Sequence, residues 1–113
     1  MDCIFCQIAA GKIPSDIVYQ DQEIIAFRDI NPQAPRHLII IPRKHIPSLT
    51  RLSPADFNLV GKMVAIANQL AEKEGVAEKG YRLAINCGEE GGQAVPHLHL
   101  HLIGGRRLSD ALG

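Results

Sequence analysis

The segment His97-Leu98-His99-Leu100-His101-Leu102 alternates imidazole with leucine without interruption. A period of two belongs to a β-strand, whose successive side chains point to opposite faces. One face is then packing surface and the other presents three histidines. Neighbouring same-face residues are separated by about 6.6 Å of strand rise, so the outer histidines stand roughly 13 Å apart and all three do not readily ligate one ion. Two neighbours can still converge on zinc, which leaves a metal role open for part of the row. Three imidazoles in strict alternation are costly to bury without partners, and the row therefore points to chemistry.

The rest of the chain reads as a frame for that strand. Residues 3–10 suit a short helix closed by Gly11. Ile13-Pro14-Ser15 leads into two strand-like runs, 17–19 and 23–28, joined at Asp21-Gln22 as a hairpin. Residues 29–35 carry Pro32 and Pro35, which bar both a helix and a central strand. They deliver His37 onto the β-branched run 37–41, which Pro42 ends. Ser53, Pro54 and Asp56 supply an N-cap, a first-turn proline and a capping-box acid for a long helix ending near Gly75. Along it Phe57, Val60, Val64, Ala67 and Ala71 recur at spacings of three and four, the stripe of a core-facing helix. Tyr81, Leu83 and Ile85 then alternate with Arg82, Ala84 and Asn86, a strand expected to pair antiparallel with the histidine strand. Connections this short exclude repeated parallel crossovers. The expected class is α+β on an antiparallel sheet, one domain spanning residues 1–113.

Composition narrows the function. Lysine plus arginine equals aspartate plus glutamate at 12 each, so no excess of positive charge exists to grip a long nucleic acid. Apolar runs such as residues 38–41 are far shorter than the roughly 20 residues of a membrane span, and the start lacks a basic-then-apolar signal segment. The expectation is a cytoplasmic protein without a membrane partner. Three cysteines, Cys3, Cys6 and Cys87, make an odd count that disfavours a disulfide framework and favours thiol or metal chemistry. Cys87 itself suits a small buried residue.

The segment before the histidines, residues 86–95, holds Gly88, Gly91 and Gly92, which let backbone N–H groups turn toward an anion. Phosphate is the natural candidate, although an ordinary inter-strand turn has the same composition.

Together these residues resemble the histidine triad family. The row through Ile103 matches its His-x-His-x-His-x-x signature, x being apolar. The segments Asp29-Ile30-Asn31-Pro32-Gln33-Ala34-Pro35, Ile41-Pro42-Arg43-Lys44-His45, Gly91-Gly92-Gln93 and Gly104-Gly105-Arg106 are similar to the nucleotide-binding branch, known for purine nucleoside phosphoramidase activity. The resemblance implies a five-stranded antiparallel protomer with one long and one short helix, dimerising into a continuous ten-stranded sheet. It implies His99 as nucleophile, with His37 and His101 hydrogen-bonding the phosphate or relaying protons. Asp29 would bind the ribose hydroxyls, and Asn86 with the backbone of Gly92, Gln93 and Ala94 would line the phosphate site. Ile4, Phe5, Ile8, Ile13, Phe27, Ile30 and Ile39 would wall the base pocket, although each also suits ordinary core. Relatives with the N-terminal pair Cys3-x-x-Cys6 hold structural zinc with histidines at the positions of His45 and His97, and four such ligands close a tetrahedral site.

Two departures bear on specificity. Ala94 stands where many relatives carry a serine, and the tail 106–113 lacks the tryptophan that some send toward a partner's active site.

The chemistry is self-consistent, because an imidazole with an ordinary pKa near 6.5 is largely neutral at pH 7 and offers a lone pair without a separate strong base. The expected reaction is hydrolysis of purine nucleoside 5′-phosphoramidates to nucleoside monophosphate and amine through a nucleotidyl-histidine. It requires no organic cofactor. Alternatives are a dinucleoside polyphosphate hydrolase, a nucleotide sensor or interaction module, and a catalytic metal centre built on the histidine row.

Overall fold

The computed structural model describes residues 3–113. Its order is α1 (Ile4–Ala9), β1 (Ile17–Gln20), β2 (Ile24–Arg28), β3 (Arg36–Pro42), two short 3₁₀ turns (Leu49–Arg51 and Pro54–Asp56), α2 (Phe57–Lys73), β4 (Tyr81–Ala84) and β5 (Leu100–Gly104). The strands form one antiparallel sheet in the order β1-β2-β3-β5-β4. This is the α+β architecture the sequence predicts.

The β1–β2 hairpin closes where expected, for a local reason. One Asp21 oxygen accepts the Glu23 and Ile24 N–H groups at 2.7 and 2.8 Å while the other accepts the Tyr19 hydroxyl at 2.6 Å. Burial opposes the charge, but these three donors and the nearby Lys62 hold the Asp21 carboxyl at about 2.

Alternation divides the sheet into two faces. Ile24, Ala26, Leu38, Ile40, Leu100 and Leu102 pack beneath α2, whereas Ile25, Phe27, Ile39 and Ile41 pack with Phe5 and Ile8 of α1. His101 pairs with Ile39 across the β3–β5 ladder, so the imidazoles share the α1 face. The leucines between them are buried in the larger core.

Three elements differ from expectation. The β5 ladder begins at Leu100, not His97, because Pro96 has no N–H and the His97 N–H turns back onto the Val95 carbonyl at 2.8 Å. Alternation nevertheless persists upstream, anchored by the Leu98 N–H on the Ile46 carbonyl at 2.6 Å. Strand β4 stops at Ala84, leaving Ile85 and Asn86 outside it.

In α2 the buried stripe is Met63, Ile66, Ala67, Leu70 and Ala71, while Phe57 and Val64 are exposed. The expected stripe kept a strict alternation of three and four, which drifts around a 3.6-residue helix, and α2 meets the sheet along the neighbouring line. The capping acid works as expected: Asp56 accepts the Ser53 N–H at 3.0 Å and the Lys44 ammonium at 2.7 Å. At the other end Gly75, with φ +76°, allows the Val76 N–H to reach the Ala71 carbonyl at 3.0 Å.

Candidate active site

The histidines interlock through bonds whose direction is set by backbone groups. A peptide N–H only donates and a carbonyl only accepts, so each such contact fixes a tautomer. His99 Nδ1 lies 2.7 Å from the His97 carbonyl and must carry the hydrogen, leaving Nε2 with the lone pair. His37 Nδ1 accepts the Gln33 N–H at 3.0 Å, so the hydrogen of neutral His37 sits on Nε2. That hydrogen is donated to His101 Nδ1 at 2.9 Å, which places the hydrogen of neutral His101 on Nε2. One imidazole thus presents a nucleophilic nitrogen and its neighbour a donor. Their ring centres are 4.9 Å apart.

Burial favours the neutral forms of His37 and His101. It depresses the His37 pKa, opposed by Asp29, whose carboxylate lies 3.4 Å from His37 Nε2. His101 falls to about 4, through burial first and then the charges of His99 and His37, with Asp29 opposing. Asp29, His37 and His101 also offer three potential metal ligands close together. The tautomer argues against that use, since Nδ1 of His37 is committed to a peptide donor and its Nε2 would have to lose a hydrogen to bind an ion.

Beside the histidines lies a cleft of about 380 Å³, within the range of small-molecule sites. Every expected base-pocket residue, Ile4, Phe5, Ile8, Ile13, Phe27, Ile30 and Ile39, lines it, as do Asp29, Ala94, His99 and His101. Phe5 packs edge-on to His99 with ring centres 5.0 Å apart, so α1 roofs that imidazole. Ile30 is 91% exposed at the rim. Pro14, Ser15, Arg28, Asn31 and Val95 complete the lining, none of them singled out as a site residue by the sequence.

His37, Asn86, Gly92 and Gln93 do not line the cleft. His37 stands behind His101, joined to its Nδ1. The Gly92 and Gln93 N–H groups, expected at a phosphate, turn instead onto the carbonyls of Glu89 and Gly88, each at 3.0 Å. The Gln93 carboxamide accepts from Gly88 N–H at 2.9 Å and donates to the carbonyls of Pro47 and Val95 at 2.7 and 2.9 Å. The glycines here serve the turn: Gly88 and Gly92 have positive φ, and a Cβ at Gly91 would run into the Cys87 carbonyl. Of the expected phosphate-loop residues, Ala94 is the one that reaches the cleft.

On the far side of His99, Cys3, Cys6, His45 and His97 converge. Donor separations are 3.3 Å for Cys3 Sγ to His97 Nδ1, 3.3 Å for Cys6 Sγ to His45 Nδ1, 3.5 Å for Cys6 Sγ to His97 Nδ1 and 3.2 Å between the two Nδ1 atoms. Zinc bonds of about 2.3 Å to sulfur and 2.0–2.1 Å to nitrogen imply tetrahedron edges of about 3.3–3.8 Å, close to these values. His97 Nε2 donates to the Pro42 carbonyl at 2.8 Å, so its Nδ1 presents a lone pair to the thiols. Burial, with the neighbouring Cys3 thiol, pushes the Cys6 thiol up, and a cation among the four donors would reverse that. These four residues could hold a metal.

The chain is similar to known proteins over nearly its whole length. A family model described as "Scavenger mRNA decapping enzyme C-term binding" matches residues 2–112. Purine nucleoside phosphoramidase of Escherichia coli (strain K12) is 50% identical over 111 residues, covering 98% of this chain and 93% of that protein. A HIT family hydrolase from Legionella pneumophila superposes with a TM-score of 0.97 at 48% identity, covering 99% of this chain and 100% of the other. A histidine triad protein from Clostridium difficile gives 0.96 at 42% identity, covering 98% and 96%. The chain belongs to the histidine triad family.

Proposed function

We propose that this chain hydrolyses purine nucleoside 5′-phosphoramidates through a covalent nucleotidyl-histidine at His99. The observation that carries this reading is the His99 Nδ1–H bond to the His97 carbonyl, which leaves Nε2 as a nucleophile at the cleft and supports positive charge on the ring. Its relative of 50% identity carries the name of that activity.

The base lies between Ile4, Phe5 and Ile30, the ribose hydroxyls bind Asp29, and the α-phosphoryl group faces His99 and His101. His99 Nε2 forms a bond to phosphorus as the phosphorus–nitrogen bond breaks, and the leaving nitrogen takes a proton from solvent at the mouth of the cleft. The His101 Nε2–H donates to a phosphoryl oxygen, where charge develops. Water then forms the new phosphorus–oxygen bond as the bond to His99 Nε2 breaks, its proton passes to solvent, and His99 Nε2 regains its lone pair as the nucleoside monophosphate leaves. A longer phosphate chain is less well served, because the one Lys or Arg in the lining, Arg28, is already paired with Glu74 at 2.6 Å and Asp16 at 3.4 Å.

Two further assignments belong to this reading. Cys3, Cys6, His45 and His97 hold a structural zinc ion, which ties α1 to the extended segment ahead of β5 that carries His99. The protein works as a cytoplasmic homodimer joined through β4, since β1, the other sheet edge, carries a register shift that bends it.

The test is rapid-quench mass spectrometry after mixing with adenosine 5′-phosphoramidate, avoiding acid. An adenylyl adduct on His99, lost in His99→Ala together with at least about a thousandfold of turnover, is the expected result. Unimpaired turnover by the variant would overturn the assignment.

A further inference from the structure

The direction of every hydrogen in the His37–His101 pair descends from one peptide group, the Gln33 N–H on His37 Nδ1 at 3.0 Å. Gln33 sits in residues 29–35, which form no helix or strand. The segment's own bonds are short-range: Asn31 N–H to Asp29 Oδ1 at 2.8 Å and the Gln33 carboxamide to the Asn31 carbonyl at 3.0 Å. The Asp29 N–H on the His37 carbonyl, at 3.0 Å, ties its start to β3. Near its other end the clasp comes from beyond β5. Arg106 Nη2 donates to the Gln33 carbonyl at 2.9 Å, and Nη1 to the Arg107 carbonyl at 3.0 Å. Gly105, at φ +98°, runs so close beneath the loop that a Cβ there would lie 2.9 Å from the Pro35 Cβ. The glycine lets the chain pass and the arginine reaches across to hold the loop.

We propose that Arg106 is a positioning residue for the hydrolysis, holding the Gln33 carbonyl so that the Gln33 amide stays on His37 Nδ1 and the tautomers of His37 and His101 stay fixed. The inference rests on the donor role given above to His101. With the amide released, the Asp29 carboxylate 3.4 Å from Nε2 is the remaining charge that favours a hydrogen there, and part of the His37 population carries it on Nδ1 instead, exchanging through solvent. When it sits on Nδ1, His37 Nε2 becomes an acceptor and His101 must turn its hydrogen to Nδ1. His101 Nε2 then meets the phosphoryl oxygen with a lone pair, and a donor to the transition state becomes a repulsion.

The experiment combines ¹⁵N imidazole NMR of the resting protein with steady-state kinetics on adenosine 5′-phosphoramidate, for wild type, Arg106→Ala and Arg106→Lys. In wild type His37 shows the Nε2–H tautomer alone. Arg106→Ala mixes the two forms and lowers kcat in proportion to the His37 population that leaves the Nε2–H form, about twofold for an equal mixture, with KM little changed, the split of an interaction used in the transition state. Arg106→Lys, which keeps a donor at this position, restores most of both signals. A His37 spectrum unchanged in Arg106→Ala overturns the inference whatever the rate does, and so does a mixed spectrum with undiminished kcat. Failure of the reaction itself is distinguishable: it appears as turnover surviving in His99→Ala while the tautomer effect of Arg106→Ala persists.

Discussion

His101 shows how a single residue is tuned by its surroundings. Its folded pKa of about 4 lies below the ordinary histidine value near 6.5, so the fold disfavours the protonated form. A depressed pKa of this kind contributes stability that is full above about pH 6.5 and is lost as pH falls through the window toward 4. The His101 ring-proton resonance should therefore stay flat from pH 8 to 5 and move only below. Urea midpoints should fall across pH 6.5 to 4, more steeply in wild type than in His101→Asn. An ordinary titration centred near pH 6.5 would contradict the burial argument. His37 titrates low for the same reason, burial outweighing the nearby Asp29 carboxylate.

At the scale of elements, α2 separates what packs from what merely recurs. Met63 is fully buried and Phe57 is 59% exposed, although both are large and apolar. Met63→Ala should cost about 2–5 kcal/mol in urea unfolding, from lost transfer energy and the cavity left behind. Phe57→Ser should stay within about 0.5 kcal/mol at protein concentrations where the chain is monomeric. The start of the helix adds a pH-dependent term. The Lys44 ammonium and the Ser53 N–H hold Asp56 below its usual range, so its contribution is present above the ordinary carboxylate pKa and is lost as pH falls through the folded value. Asp56→Asn should melt lower than wild type at pH 7, and the gap should close in acid. The α1 helix has a different support, since its Cys6 thiol faces His45 and His97 and the thiol of Cys3, its N-cap, faces His97. Cys6→Ala should lose bound zinc by elemental analysis and melt lower, and retention of one zinc per chain would count against the four-residue site.

The whole molecule leaves β4 as the sheet edge without a bulge, and α2 with Phe57 and Val64 exposed. Among the described residues, no helix is long and apolar enough to cross a membrane. A second copy pairing along β4 would extend five strands to ten. Light scattering should give twice the 12.3 kDa of one chain. Ala84→Asp, which puts a charge on that edge, should return the single-chain mass with the fold intact. A wild-type mass of one chain would exclude the paired sheet.

The sequence by itself determined whatever follows from local periodicity and short-range sterics. Period-two alternation put the imidazoles opposite Leu98, Leu100 and Leu102; Asp21, Asp56 and Gly75 marked their turn and helix ends; the prolines bounded His37. Motif order carried the family and most of the cleft. Tertiary structure alone decided which line of α2 faced the sheet, because a helix with apolar residues on adjacent lines takes the one its partner surface fits. It also decided where β5 began, since a ladder requires the neighbouring strand as well as the alternation. Above all it decided which nitrogen of each histidine carries a hydrogen. That depends on carbonyls and amides of His97, Gln33 and Pro42, main-chain groups present in every residue and placed only by folding.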